Sequence, residues 1–361
     1  MERIVNVGII GCGGIANGKH MPSLKNVPGV RMIAFCDLIL EKAEKAAKEY
    51  GTPDAKGYTD YRELLADPSI EVVHVLTPNR EHAEISIAAL EAGKHVMCEK
   101  PMAKCAADAH RMVEAARKSG KKLTIGYQHR QKAQSIYAKQ YVDSGALGDI
   151  YYANCYAIRR RGTPNWGVFL NEEEQGGGPI IDIATHSLDL TLYLMNNYEP
   201  AMVIGKTHKK LEHPEAGNLW GDKGVSTTPL EEAACAMIVM KNGATIMLET
   251  SWALNTEEPI TEGSCRLCGS RAGLSIKNDI LTLNEVAYNR LQDTKVNCAA
   301  GGVAFYEGGS ASPQQTEAYN WIRAIVEDRD PVVLPEQAAV VSDILEAIYT
   351  SSKTGKPVYF D

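Results

Sequence analysis

Hydrophobic positions in the first 125 residues come in short runs parted by amphipathic stretches. Arg3–Ile10 is apolar and rich in β-formers, a glycine cluster follows, and a helical stretch extends to about Asn26. Val30–Phe35 reads as a second strand and Leu40–Tyr50 as a charged helix that stops before Gly51. Val72–Leu76 is a third buried strand, and Glu81–Ala92 has helical apolar spacing ending at Gly93. Strand His95–Cys98, helix Ala106–Ser119 and strand Leu123–Ile125 complete the series. Short apolar runs alternating with amphipathic helices predict a parallel sheet covered on both faces.

The rhythm changes after Gly126. Ile136–Asp143 still has helical spacing, and Asp182–Met195 is a long apolar helix, but strand patterns dominate otherwise. Tyr151–Ile158 is one. Ala234–Met240 and Ala244–Ser251 flank Lys241-Asn242-Gly243, where Asn-Gly signals a hairpin. Cys265–Leu267, Leu274–Ile276 and Ile280–Leu283 continue the series, and Gln315–Asp328 and Glu336–Ser351 are closing helices. The expected architecture is an α/β Rossmann domain over 1–125 and an α+β domain with a large, mostly antiparallel open sheet over 126–361.

A chain of 361 residues is long enough for two cores. Hydrophobic residues at 44% and charged residues at 23% fit a globular protein. The net charge of -7 would repel a polyanion, which argues against nucleic acid. No apolar run is long enough to span a membrane, and no secretory apolar region precedes the first strand. The cysteines are scattered and number nine, which is no disulfide framework and points to a reducing cytoplasm. Cys265-x-x-Cys268 lacks the further ligands of a closed zinc site, so two buried thiols in a strand hairpin are expected, and no metal.

Gly11-Cys12-Gly13-Gly14-Ile15-Ala16 fits G-x-G-x-x-G/A after a strand and before a helix. In that setting Gly11 permits the tight turn, Gly13 lets backbone approach a pyrophosphate, and Ala16 allows close helix–strand packing. The helix N-terminus then faces the phosphates. Asp37 ends the second strand about 20 residues on, where a carboxylate accepts from the adenosine ribose hydroxyls. A 2′-phosphate would meet like charge there, and Leu38 and Ile39 offer no cation, so NAD is expected over NADP.

Two further stretches carry chemistry. Glu99-Lys100-Pro101 leaves the C-terminal end of a strand, the side facing ligand in this fold, although the tripeptide alone favours an exposed surface lysine. A lysine aimed at a substrate oxygen would stabilise developing alkoxide. Gly176-Gly177-Gly178-Pro179 leads into a helix on which Asp182 and His186, four apart, share one otherwise apolar face. A histidine there suits proton abstraction from a hydroxyl, or is a buried ring satisfied by a hydrogen bond.

Taken in order, these motifs together with Thr77-Pro78-Asn79-x-x-His82 resemble the Gfo/Idh/MocA oxidoreductases over essentially the whole chain. The resemblance implies that Lys100, Asp182 and His186 are catalytic. It implies that Thr77, Pro78, Asn79, His82, Glu99 and Lys100 adjoin a cofactor held by Gly11, Gly13, Gly14, Ile15, Ala16 and Asp37. Arg159-Arg160-Arg161-Gly162-Thr163-Pro164-Asn165-Trp166 looks like a branch acting on sugars and glycosides, with Tyr156, Arg160 and Trp166 as candidate substrate contacts. Gln128-His129-Arg130 departs from the family's pattern, and His129 either contacts substrate or is structural. The implied activity is NAD-dependent oxidation or reduction of a secondary hydroxyl of a sugar, glycoside or cyclitol, first of all C3 of a glycoside. The alternative is an NAD-dependent glycosidase working through a transient 3-keto intermediate, with His129 or Tyr156 as the extra base. A homodimer or homotetramer is expected.

Overall fold

The computed structural model describes residues 3–211, 217–298 and 312–361. It divides into two compact units, Met1–Gln131 with Ala311–Ala339, and Lys132–Ser310 with Val340–Asp361.

In the first unit, β1 (Val5–Ile10), β2 (Val30–Cys36), β3 (Lys56–Tyr58), β4 (Val72–Val75), β5 (His95–Cys98) and β6 (Leu123–Ile125) form one sheet in the order β3-β2-β1-β4-β5-β6. Every pairing is parallel. The strand order reverses between β1 and β4, which in such sheets makes a ligand crevice at the strands' C-terminal ends. The helix after the glycines begins as a π turn, Ala16–His20, and continues as α over Met21–Lys25. Strand β3 and the helix Tyr61–Leu65 are additions to the pattern read from sequence, both short and partly polar.

The domain division differs from 125/126. Residues 126–131 stay with the first unit, because Tyr127 is fully buried and the buried Arg130 guanidinium donates to Val332 O (3.0 Å) and Gln337 Oε1 (2.7 Å). The helix Pro313–Val326 also belongs there. It is capped by Ser312 in a capping box with Gln315, and its apolar stripe of Ala318, Trp321, Ile322 and Ile325 joins the core with Val5, Val7, Ile9, Met21 and Leu24.

Among the described residues of the second unit nine strands form one sheet: β7 (Ile150–Ile158), β8 (Pro200–His208), β9 (Ala233–Met240), β10 (Thr245–Ser251), β11 (Ile260–Gly269), β12 (Gly273–Lys277), β13 (Ile280–Ala287), β14 (Arg290–Val296) and β15 (Val358–Tyr359). Their order is β14-β13-β12-β11-β7-β10-β9-β8-β15, antiparallel except for β7 with β10. Residues facing the helix Thr185–Met195 alternate with residues on the other face. Ala236, Leu248, Cys155, Cys265 and Ile276 form one buried row. The next row over, Ile204, Met237, Met247, Asn154 and Arg266, lies on the opposite face, where Ile204 and Met247 are exposed. The Cys265/Cys268 pair departs from expectation. Cys265 is buried in β11 but Cys268, three residues on along a strand, turns to the other face and is only half-buried. No cluster of metal-ligating side chains occurs among the described residues.

Candidate active site

The glycine loop follows β1 at the point of strand reversal. Gly11 has φ +92°, and a Cβ there would stand 2.6 Å from Leu76 O at the end of β4, so the turn admits no side chain. A Cβ on Gly13 or Gly14 would meet nothing within 4 Å, and Gly14 and Ile15 are exposed. The loop thus has open space on the side where a pyrophosphate would rest on its N–H groups, and buried Ala16 packs into the core behind it. Asn17 pins the loop by donating to Cys12 O (2.9 Å) and Gly13 O (2.8 Å). Half-buried Asp37 accepts from Cys12 N and from Ile39 N, each at 3.0 Å. These bonds fix the carboxylate beside the glycine loop. Leu38, next in sequence, is 92% exposed.

Thr77, Pro78 and Asn79 form the corresponding loop after β4. His82 is fully buried, with Nδ1 at 2.8 Å from Pro101 O and Nε2 at 3.0 Å from Thr77 O. The ring stands between this loop and the turn after Lys100, and in its neutral form it donates to one of these two carbonyls through its single N–H. Burial lowers its pKa against the pull of those carbonyls.

Glu99 also differs from the expected cofactor contact. Its carboxylate is turned inward, with Oε1 accepting from Lys19 Nζ (2.7 Å) and from His20 Nε2 (2.7 Å), and Oε2 accepting from Lys100 N (3.0 Å). Lys19 also bridges to Glu317 Oε2 at 2.9 Å. Lys100 itself is half-buried, and His129 is buried in the turn Gln128–Gln131 after β6.

In the second unit Asp182 sits in a π turn, Ile180–Ala184, that runs into the α-helix Thr185–Met195 carrying the buried His186. π turns concentrate at functional sites. Asp182 Oδ2 accepts from the buried Trp252 Nε1 (2.9 Å) and lies 3.7 Å from Arg159 NH1. Arg159 also donates to Gly162 O and Glu262 Oε1. Arg159 is the arginine that meets Asp182, and Arg160, the candidate substrate contact, is exposed. Ser187, next to His186, fastens the helix to the sheet: its Oγ donates to Tyr156 O (2.6 Å) and accepts from Gly263 N (2.8 Å).

The glycine triplet before this helix is an approach, not a hinge. A Cβ on Gly177 would stand 2.0 Å from Tyr349 Oη, and one on Gly178 would stand 2.5 Å from Glu231 O. Glu231 accepts from Gly178 N (3.0 Å), Ile180 N (3.4 Å) and Tyr349 Oη (2.7 Å), so its carboxylate holds the entry to the Asp182 turn. Burial nevertheless pushes its carboxyl pKa up.

Tyr156 stands apart from this group. Its neighbour Cys155 faces the helix, so the Tyr156 side chain lies on the other face, among Arg266, Tyr152 and Glu249. That removes it from the side of the sheet bearing Asp182 and His186. Trp166 is half-exposed and makes an edge-to-face contact with Trp220 at 4.8 Å between centroids. Sequence reasoning missed Trp252, Glu231, Tyr349, Lys19 and His20. The available signals were polar residues inside apolar stretches, such as Glu317 on the buried stripe of its helix.

An oxidoreductase-family model described as an NAD-binding Rossmann fold matches residues 5–127, and that family's C-terminal α/β domain matches residues 139–360. The D-glucoside 3-dehydrogenase of Escherichia coli strain K12 is 32% identical over 358 residues, 98% of this chain and 97% of that protein. The crystal structure of an aldose-aldose oxidoreductase from Caulobacter crescentus, complexed with glycerol, matches with a TM-score of 0.81 at 25% identity, over 99% of this chain and 100% of that one. A levoglucosan dehydrogenase solved with NADH and levoglucosan shares the fold, with a TM-score of 0.84 at 23% identity over 99% of both chains.

Proposed function

Because the chain belongs to the Gfo/Idh/MocA oxidoreductase family, with an NAD-binding Rossmann domain and a C-terminal α/β domain, we propose that it oxidises a secondary hydroxyl of a sugar, glycoside or cyclitol, with C3 of a glycoside as the first candidate. The observation that carries this reading is the held carboxylate of Asp182, clamped by Trp252 and Arg159 one turn before His186. A carboxylate so fixed is a ready acceptor for a sugar hydroxyl.

NAD, when bound, supplies the hydride acceptor. In this reading Lys100 donates a hydrogen bond to the reacting oxygen and steadies its negative charge. His186 or Lys100 takes the hydroxyl proton, Asp182 fixes a neighbouring hydroxyl, Arg159 holds Asp182, and the exposed Arg160 remains a candidate substrate contact. Thr77, Pro78 and Asn79 border the cofactor, with His82 and Glu99 supporting that border from behind. Trp166 and His129 remain substrate contacts of the proposal. The protein works as a dimer or tetramer in the cytoplasm.

The test is turnover of methyl glucosides, levoglucosan and inositols with NAD. Accumulating NADH supports the dehydrogenase. Cleavage of a glycoside without accumulating NADH would replace it with the glycosidase alternative, for which Tyr156 is no longer a base. Lys100→Ala should slow the chemical step about 10²–10³-fold, and His186→Ala about 10²–10⁴-fold. Asp182→Ala should raise KM as well. NADH binding should survive all three.

A further inference from the structure

Five titratable side chains share one buried volume in the first unit: Lys19 and His20 from the helix behind the glycine loop, His74 from β4, Glu99 after β5, and Glu317 from the helix Pro313–Val326. Burying such groups is expensive, and apolar residues of similar size would fill the same space more cheaply. Their arrangement is directional. Glu99 Oε1 can only accept, so His20 Nε2 carries a hydrogen. A neutral His20 then accepts at Nδ1, and His74 Nδ1, 3.1 Å away, must donate to it. Burial and the Lys19 ammonium lower the pKa of His20, and burial holds His74 well below the usual histidine range, so both rings are neutral as this chain requires. Burial would push the Glu99 carboxyl up, but Lys19 and His20 outweigh it and hold it well below the usual range. Glu317 is pushed up by burial, with Lys19 opposing.

The outcome is a carboxylate kept ionised and immobile directly before Lys100, with its second oxygen on the Lys100 N–H. We propose that Lys19 and His20 are positioning residues that act on Lys100 through Glu99, tying the helix of the dinucleotide loop to the lysine that faces substrate. This rests on the reading that Lys100 is that lysine. The groups facing Glu99 are Lys19, His20 and the Lys100 backbone, with Glu317 on the far side of Lys19 and His74 behind His20.

The test uses the full-length enzyme. Lys19→Met/Glu317→Gln removes Lys19 together with its second acidic partner, which leaves His20 and the Lys100 N–H as the donors that hold Glu99. His20→Phe removes the donor to Glu99, and His20→Gln restores one. Three readouts are needed: the melting curve, the Kd for NADH, and the pH dependence of both kcat/KM and Lys100 acetylation, the last followed by peptide mass spectrometry without substrate. The expected result is folded protein with NADH binding within about twofold and kcat down about 10–100-fold, as for a displaced catalytic group. Both pH profiles should shift together, and His20→Gln should recover most of the loss. Folded variants with unchanged kcat and unchanged Lys100 acetylation would overturn the proposal. Lys100→Ala separates the two claims. If it abolishes turnover while His20→Phe changes nothing, the coupling fails and the lysine reading stands; if it keeps wild-type turnover, both fail.

Discussion

Asp37 should set the preference for NAD over NADP, and its position allows the size of that preference to be worked out. The carboxylate is fixed by Cys12 N and Ile39 N beside the glycine loop, so it cannot swing away from a 2′-phosphate. A phosphate carrying −1.5 to −2 charges roughly 5 Å away is repelled by about 1.5 kcal/mol with water-like screening and about 3 kcal/mol at half that dielectric constant. That corresponds to about 10- to 100-fold in Kd. The fully exposed Leu38 supplies no compensating cation. Asp37→Asn removes the repulsion and leaves one acceptor for the ribose, so NADPH should bind at least about tenfold more tightly while NADH loses about fivefold. Quenching of protein fluorescence by NADH and NADPH gives both constants, and a melting curve checks that Cys12 and Ile39 still hold the loop. Leu38→Arg is the complementary change, adding a cation with Asp37 intact, and should improve NADPH alone. Equal affinities in the wild type, or an Asp37→Asn ratio unchanged from it, would refute the reasoning.

Trp252→Phe keeps the buried ring and deletes the N–H on Asp182, so KM for the sugar should rise about 10-fold, the worth of a charge-assisted bond, with NADH binding unchanged. A KM within twofold of wild type would show that the Trp252 N–H does not set the position of Asp182. Glu231 has a folded-state pKa above its unfolded value, so folding binds its proton more tightly; this contribution to stability is present below about pH 4.3 and is lost as pH rises through the folded pKa. The stability difference between wild type and Glu231→Gln, measured by urea unfolding across that window, should therefore move against the wild type as pH rises, and the opposite slope would contradict the assignment. The half-exposed apolar row of Ile204, Met237 and Met247, on the sheet face opposite the helix Thr185–Met195, should be closed by a second copy of the chain. Light scattering at micromolar concentration should then give a dimer or tetramer, and a monomer would leave that face unexplained.

What could be read from sequence depended on whether burial or pairing forms each element. Strands β1, β4 and β5 are buried on both faces and appear as apolar runs. Strand β14, Arg290–Val296, is a polar edge strand that exists because β13 offers it a ladder, and no periodicity announces it. The glycine loop after β1 and Asp37 after β2 are local features, and their placement was legible. Trp252 reaches Asp182 across 70 residues, and Tyr349 reaches Glu231 across 118, so neither partner could be named before the fold was known. Tyr156 is a different case, because its placement turns on parity along one strand. Along β7 the residues Ala153, Cys155 and Ala157 are small and apolar, whereas Tyr152, Asn154 and Tyr156 carry polar groups. With one face of this sheet packed under the helix Thr185–Met195, the first set belongs beneath it and the second set belongs opposite. The alternation therefore already placed Tyr156 away from His186. An aromatic ring suits a sugar in its chemistry, but the period-two rule decides which way the ring points.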